Sequence, residues 1–291
     1  MIEKIAYEGL PNCYHVSNEI IELIITTDIG PRVLRFGFVG QQNEFIANRA
    51  RGFGGHRLWH APESHPRSYI PDKNPISFEE HNDFVRITQS TEISTNIQKE
   101  LDIPIFPDKN HISIVHRLYN RGLWPVKLAP WAISVMASGG KAIIPLPKRR
   151  SRETAQLIPT SLLAIWEYSD LSDPHLKIGR QYITLRQDKN ISQPLKIGVM
   201  NTEGWAAYWN NGHLFVKTFE YKNSASYPDL GCSTEVYASN ENFELETIAP
   251  LKLLPPDESS EYVENWFLFQ NVTEPFTDND IETKILPLLQ T

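Results

Sequence analysis

The chain has 291 residues, a length that suits one large all-β domain or two smaller domains. Apolar residues make up 41% and charged residues 22% of the sequence, a balance that excludes a disordered chain. Acidic side chains outnumber basic ones by 35 to 28, and the one basic cluster, at residues 148–152, is short. We therefore expect no nucleic-acid partner, because the sequence lacks a long basic stripe that could follow phosphates.

Cysteine usage and the N-terminal segment set the expected compartment. Cys13 and Cys232 lie far apart and outside metal-ligand spacing, so a disulfide is not the favoured interpretation. The first residues carry charges where a signal peptide needs an apolar core, and no window approaches 18 consecutive apolar residues. We expect a cytoplasmic protein with no membrane partner.

Alternation of apolar and polar residues with a period of two predicts β-strands along most of the chain. Residues 19–39 read as two strands joined by a Gly-Pro turn, and residues 111–120 alternate without a break. The Asn-Gly pair within residues 210–213 predicts a tight hairpin, because both residue types tolerate positive φ angles. Further short apolar runs separated by turn residues predict one all-β sandwich or barrel over residues 1–291.

Helical signals are few, and both lie at the periphery of the predicted sheets. Residues 161–173 are expected to hold one or two helical turns. The tail at residues 277–290 offers Thr277 or Asp278 as an N-cap, with acidic residues in the first turn.

Residues 52–66, GFGGHRLWHAPESHP, place histidine, arginine, glutamate and tryptophan side chains between glycines and prolines. The glycines and prolines predict irregular backbone in this segment. His56, His60 and Glu63 are N/O ligands for zinc or another divalent ion, which leaves a metal site open as an alternative. Their spacing matches no zinc motif, so we assign no metal.

A carbohydrate or small-molecule pocket fits the same segment better. Trp59 offers an aromatic face for the apolar surface of a sugar ring. His56, Arg57 and Glu63 supply hydrogen-bond donors and acceptors for hydroxyl groups. In the structural alternative, Trp59 fills the core and Arg57 pairs with a carboxylate.

Two further patterns supply candidate residues. Glu244 and Glu246 lie two positions apart in a predicted strand, so their side chains share one face. Burial of that face would raise a carboxyl pKa, as a general base requires, whereas solvent exposure would leave two ordinary surface acids. Of seven tryptophans, we expect no more than two or three to contact a ligand, and Asp229 reads first as a turn residue.

Three segments resemble proteins related to aldose 1-epimerase, or galactose mutarotase. They are the strand-turn-strand at residues 21–38, the glycine-rich segment at residues 43–63, and the C-terminal residues 243–269 with the sequence LET. The motifs TTDIGPR, GGHRLWHAPE, LAPWAISVMA, LSDP, GWAAY and YPDLGC together resemble a DUF4380-type family of the galactose mutarotase-like supersandwich. That resemblance covers nearly the whole chain.

The resemblance implies a single all-β domain of large antiparallel sheets with few short helices and a carbohydrate cleft on a concave face. It implies a small-molecule sugar as partner and no metal or organic cofactor. In the enzymes of this superfamily, a glutamate removes the proton of the anomeric hydroxyl and a histidine protonates the ring oxygen. The oligomeric state stays open.

The family roles map onto particular positions of this sequence. Glu246 in LET matches the general base, and His56 falls near a substrate-contacting histidine that can act as acid. Arg57 is placed to hold a hydroxyl or an anionic group such as phosphate. Asp229 matches a sugar-binding aspartate, and Trp59 and Trp131 are assigned to substrate binding.

The sequence departs from the enzymes where they carry their acid histidine. The comparable residues 129–131 are Ala-Pro-Trp. An acid would have to come from His56, His60 or His116. We therefore expect either an epimerase with a rearranged site or a carbohydrate-binding or regulatory protein without catalysis.

Overall fold

In this computed structural model, the structure describes residues 1–47, 54–70, 72–104, 106–155, 157–190 and 193–290. Gly52 and Phe53, which begin the segment GFGGHRLWHAPESHP, lie outside the described residues. No helix of the described ranges is long and apolar enough to span a bilayer.

The strands are short and follow one another along the whole chain. The first ten are β1 (Ile2–Tyr7), β2 (Leu10–Ser17), β3 (Ile21–Thr26), β4 (Arg32–Phe38), β5 (Gly55–Ala61), β6 (Ser77–Glu80), β7 (Phe84–Thr88), β8 (Ile97–Pro104), β9 (His111–Asn120) and β10 (Val126–Val135). The rest are β11 (Lys141–Pro145), β12 (Leu163–Ile165), β13 (Leu176–Ile178), β14 (Tyr182–Arg186), β15 (Leu195–Val199), β16 (Trp205–Asn210), β17 (His213–Phe219), β18 (Thr234–Ala238), β19 (Phe243–Ile248), β20 (Lys252–Leu254) and β21 (Ser259–Phe269).

These strands form two large antiparallel sheets. The first sheet has eleven strands in the order β1-β2-β3-β4-β5-β10-β19-β18-β15-β12, with β20 pairing to β10. The second has ten strands in the order β13-β14-β11-β16-β17-β21-β9-β8-β7-β6. The all-β prediction is confirmed, and the central position of β10 between β5 and β19 places its side chains beside both.

The predicted strand pairs appear where the sequence pattern placed them. β3 and β4 pair across the Gly-Pro turn, and β9 alternates half-buried and buried side chains over its whole length. Asn210 pairs with His213 across a two-residue turn in which Asn211 and Gly212 both have positive φ angles. Local turn chemistry and the period of two therefore determined these elements.

Aromatic side chains from both sheets fill the space between them. The Trp266 ring of β21 lies 5.5 Å from the Phe36 ring of β4 and 5.4 Å from the Phe215 ring of β17. All three side chains are fully buried and belong to a continuous apolar core. Each such ring removes a large apolar area from water, at about 25 cal/mol per Å². Cys13 and Cys232 are buried as free thiols.

One helical prediction was wrong and the other is confirmed. Residues 161–173 contain β12 instead of helical turns, because this segment adds an edge strand along β15. The pairing of β12 with β15 thus outweighed the weak helical propensity of this segment. The tail forms short helical turns at Asp278–Asp280, Ile281–Ile285 and Leu286–Gln290, and Thr277 caps the first in a reciprocal capping box with Asp280.

The segment predicted to be irregular contains a regular strand, β5. Gly54 and Gly55 lead into it with positive φ angles, and a Cβ on either would lie within 2.5 Å of a backbone oxygen. These glycines let the chain pass close to its neighbours and then join the sheet. Irregular backbone begins only at Pro62 and includes a short turn of 3-10 helix at Arg67–Tyr69.

Candidate functional site

The register of the first sheet decides which face each candidate residue occupies. Ile133 of β10 is aligned with Arg57 of β5 and with Glu246 of β19. The next residue of β10, Ser134, is aligned with His56. Side chains of consecutive strand residues point to opposite faces, so Arg57 and Glu246 share the outer face while His56 faces the second sheet.

The outer face of the first sheet carries a group of polar and aromatic side chains from five neighbouring strands. We call this group the outer cluster, and its members are Arg57, Trp59, Trp131, Lys196, Glu235 and Glu246. The structure thereby brings four predicted site residues together and adds two that the sequence did not single out.

Glu246 lies at the centre of the outer cluster and is fully buried. Trp131 donates a hydrogen bond from Nε1 to Glu246 Oε2 over 2.7 Å, and Lys196 donates from Nζ to the same oxygen over 3.2 Å. The other oxygen, Oε1, has no hydrogen-bond partner among the described residues. Burial raises the pKa of the Glu246 carboxyl, although the charge of Lys196 opposes the shift.

Glu235 of β18 lies directly across from Glu246 in the strand register. Its Oε2 is 2.9 Å from Lys196 Nζ, so one ammonium group lies between two buried carboxyl groups. Burial raises the pKa of Glu235 well above its ordinary value, and Lys196 opposes that shift. Asp229 lies beside Glu235, and burial raises the pKa of the Asp229 carboxyl as well.

Aromatic rings form one side of the outer cluster. The Trp59 and Trp131 rings meet edge to face with their centroids 5.5 Å apart, and the Arg57 guanidinium lies 4.4 Å from the Trp59 ring centroid. Lys196 Nζ lies 4.7 Å from the Trp131 ring centroid. Arg57 also forms a salt bridge of 3.4 Å with Glu244, which confirms that Glu244 and Glu246 share a face.

A short segment after β5 lies over this face. Glu63 Oε2 is 3.7 Å from Lys196 Nζ, and the Tyr69 hydroxyl donates a hydrogen bond to Glu63. The Tyr69 ring packs against Trp59 with centroids 5.4 Å apart. Partial burial and the neighbouring Glu63 raise the pKa of Tyr69 to about 12. Glu63 and Tyr69 thus contact two members of the outer cluster, Lys196 and Trp59.

A second polar group, the inner cluster, lies between the sheets and consists of His56, His116, Ser134, Lys217 and Glu264. His116 donates from Nδ1 to the backbone oxygen of Tyr262 over 3.1 Å, so its Nε2 accepts from His56 Nε2 over 2.8 Å. His56 Nδ1 then accepts from the Ser134 hydroxyl over 2.9 Å. Burial lowers the pKa of His116 to about 4 and that of His56 well below its usual value.

The inner cluster contains a set of possible metal-ligand atoms, in His56, His116 and Glu264, all within 4.8 Å of one another. However, Lys217 Nζ lies 3.1 Å from Glu264 Oε1 and donates to two backbone oxygens. The ammonium group supplies the positive charge that the buried carboxylate needs, and the imidazole nitrogens are already hydrogen-bonded. These features match a structural polar network better than a metal centre.

The members of the metal alternative, His56, His60 and Glu63, have separate partners. His60 accepts a hydrogen bond from Arg67 over 2.6 Å and lies 3.4 Å from the buried Glu92. Glu63 contacts Tyr69 and Lys196 on the outer face. The structure does not bring these three side chains together.

Sequence reasoning did not single out Lys196 and Glu235. Each is a lone charged residue in an otherwise apolar or neutral strand, β15 and β18 respectively. A charged side chain in the middle of a buried strand needs a partner of opposite charge or a hydrogen bond. A lone charge in an apolar strand is therefore the sequence signal that could have identified Lys196 and Glu235.

The fold is that of galactose mutarotase-like proteins. The structure is similar to a galactose mutarotase-like protein from Lactobacillus casei ATCC 334, with a TM-score of 0.59, 8% identity, and coverage of 89% of this chain and 100% of that chain. A galactose mutarotase related enzyme from Lactobacillus acidophilus gives a TM-score of 0.55 at 7% identity, covering 91% and 98% of the two chains.

A candidate aldose 1-epimerase from Klebsiella pneumoniae subsp. pneumoniae MGH 78578 gives a TM-score of 0.59 at 13% identity, with coverage of 93% and 83%. No protein-family model and no curated protein matches the sequence. The likeness therefore shows the fold, and the resemblance to a DUF4380-type family stays a prediction.

Proposed function

We propose that the outer face of the first sheet binds a carbohydrate and that the protein is an aldose epimerase in which Glu246 is the general base. The observation that carries this proposal is the position of Glu246. It is fully buried between Trp131 and Lys196 and keeps one carboxylate oxygen without a partner. Burial also raises its pKa toward the range in which a carboxylate can take a proton at neutral pH.

The chemistry requires one proton to leave the anomeric hydroxyl while another reaches the ring oxygen. Glu246 would take the first proton, so that the anomeric carbon becomes an aldehyde carbon and the ring opens. Rotation and reclosure on the other face of the carbonyl then give the other anomer. Lys196 and Trp131 hold the carboxylate oriented through both steps.

Polar atoms on the same face as Glu246 suit the recognition of sugar hydroxyls. Trp59 Nε1 and Arg57 Nε are buried and have no hydrogen-bond partner among the described residues. Buried donors of this kind gain a hydrogen bond when a hydroxyl reaches them. The rings of Trp59 and Trp131 supply the apolar surface that the C–H faces of a sugar need.

The charge of the site favours a neutral sugar. Five carboxyl groups lie on this face, those of Glu63, Asp229, Glu235, Glu244 and Glu246. Arg57 and Lys196 are the cations that form salt bridges with them, and Arg57 is already engaged by Glu244. An anionic sugar would bring further negative charge to a face where carboxyl groups already outnumber these cations.

A second candidate function, carbohydrate binding without turnover, rests on a specific observation. Residues 129–131 carry no histidine, and His56 faces the inner cluster instead of Glu246. If no other group supplies the second proton, the site can bind a sugar without catalysing its epimerisation.

Exchange spectroscopy by NMR on a panel of neutral aldoses separates the two functions. We expect the wild-type protein to accelerate anomer exchange and Glu246→Gln to lose about 10²- to 10⁴-fold of that rate. Glu244→Gln is the matched control, because Glu244 lies on the same strand and face but is partly exposed and paired with Arg57. Sugar binding without any exchange would favour the second function, and absence of binding would refute both.

A further inference from the structure

Ring opening needs a second proton carrier, and the outer cluster contains one that is not a histidine. The carrier must be protonated when Glu246 is ionised, and it must lie close enough for both to reach one sugar. Glu235 is the cross-strand neighbour of Glu246, and Lys196 Nζ is within 3.2 Å of a carboxylate oxygen of each.

We propose that Glu235 is the general acid of this site and takes the place of the histidine that is missing near Trp131. This inference rests on the proposed epimerase function. It adds a catalytic residue that the resemblance to aldose 1-epimerase does not supply. Glu235 lies on β18, away from the segment in which those enzymes carry their acid histidine.

The proposed step balances protons and electrons. Glu246 carboxylate takes the proton of the anomeric hydroxyl, and the electrons of that O–H bond form the carbonyl group. The bond between the anomeric carbon and the ring oxygen breaks, and the ring oxygen keeps the electron pair and takes the proton of Glu235. In reclosure, Glu235 carboxylate recovers that proton while Glu246 returns its proton to the new anomeric hydroxyl.

The contacts explain why the proton would reside on Glu235. Glu246 accepts hydrogen bonds from both Trp131 and Lys196, which stabilise its anion. Glu235 has Lys196 as its cationic neighbour but is flanked by two acids, Glu246 and Asp229. Like charges this close cannot all be ionised in a buried site, so one carboxyl group keeps its proton. The raised pKa of Glu235 agrees with this assignment.

Groups from every neighbouring element affect this proton. Glu235 and its partners have titratable neighbours on several elements. They are Lys196 on β15, Glu244 and Glu246 on β19, Tyr237 on β18, Asp229 and Cys232 in the turn before β18, Tyr168 after β12, and Glu63 above the face. Lys196 is a poor alternative acid, because Glu246 and Glu235 raise its pKa despite its burial. Tyr69, whose pKa is raised to about 12, is likewise a weak donor at neutral pH.

The pH dependence of kcat/KM for anomer exchange tests this assignment. We expect a bell-shaped profile for the wild-type protein, which falls at low pH as Glu246 is protonated and at high pH as Glu235 is ionised. Glu235→Gln should lower kcat by about 10²- to 10⁴-fold and remove the alkaline fall, because glutamine has the shape of the protonated acid but cannot release a proton. Glu235→Asp should restore part of the rate together with the alkaline fall.

The outcomes distinguish this inference from the proposed function. A wild-type protein without exchange activity on any aldose refutes the epimerase function itself. An active wild-type protein whose Glu235→Gln variant keeps the same rate, or keeps the alkaline fall, refutes the role of Glu235 alone. Calorimetric binding of the same sugar to Glu235→Gln, together with an unchanged circular dichroism spectrum, shows that the variant is folded and that the lost rate reflects the missing acid.

Discussion

Acidification should destabilise the protein through the buried imidazole of His116. Burial lowers the pKa of His116 to about 4, whereas in the unfolded chain the same imidazole has a pKa of about 6.5. Between pH 4 and about pH 6.5, the His116 imidazole is therefore protonated in the unfolded chain and neutral in the folded protein. The resulting stability is therefore complete above pH 6.5 and is lost as the pH falls toward 4.

These two pKa values set the magnitude of the effect. Between pH 7 and pH 5, the His116 contribution to the free energy of unfolding should fall by about 2 kcal/mol. The lowered pKa of His56 adds to the loss in the same direction. The raised pKa of Glu235 acts in the opposite sense, because folding then favours proton uptake as the pH falls. Comparison with a variant is therefore needed to isolate the His116 term.

Urea unfolding at pH 7, 6 and 5 of the wild-type protein and of His116→Gln provides that comparison. The variant has an amide that stays neutral throughout, so its free energy of unfolding should fall by about 2 kcal/mol less than that of the wild type between pH 7 and pH 5. His81→Gln, at an exposed position, is the control for the replacement of a histidine by glutamine as such. Identical pH dependence in wild type and His116→Gln would refute the reasoning.

Two further predictions concern the inner cluster and the substrate. Glu264→Gln leaves the buried ammonium of Lys217 without its carboxylate and should cost about 3–5 kcal/mol in urea unfolding. Glu261→Gln, at an exposed position of β21, should cost no more than about 1 kcal/mol, and equal losses in the two variants would contradict the assignment. In calorimetry, an aldose phosphate should bind at least about 10-fold more weakly than the neutral aldose, and tighter binding of the phosphate would show that the acidic face does not select charge.

The sequence predicted the sheets and four of the six residues of the outer cluster. Period-two alternation is a local property, so it identified β9 and placed Glu244 and Glu246 on a common face. Arg57 and Trp59 are likewise two positions apart and reach the same face as Glu246. The glycines and prolines of residues 52–66 concealed this alternation in the sequence. Strand β5 places the His56 side chain on the opposite face of the sheet from Arg57 and Trp59.

The rest of the site depends on which distant strands become neighbours. Lys196 and Glu235 reach Glu246 only because β15 and β18 pair and β18 then pairs with β19. In the same way, Glu264 and Lys217 meet His116 because β17, β21 and β9 are adjacent. The local sequence contains no signal for such long-range pairing beyond the lone charges themselves, which indicate that some partner exists.

The central strand β10 connects both polar clusters, and this arrangement helps to fix the register of the sheet. Trp131 donates to Glu246 on the outer face, and Ser134 donates to His56 on the inner face. A slip of one residue between β10 and its neighbours would turn charged side chains toward the apolar core and apolar side chains toward the outer face. Because an unpaired buried carboxylate is costly, the hydrogen bonds that orient the proposed base also disfavour the alternative registers. The polar groups of both faces thus help to specify the pairing of β10 with β5 and β19, on which the position of Glu246 depends.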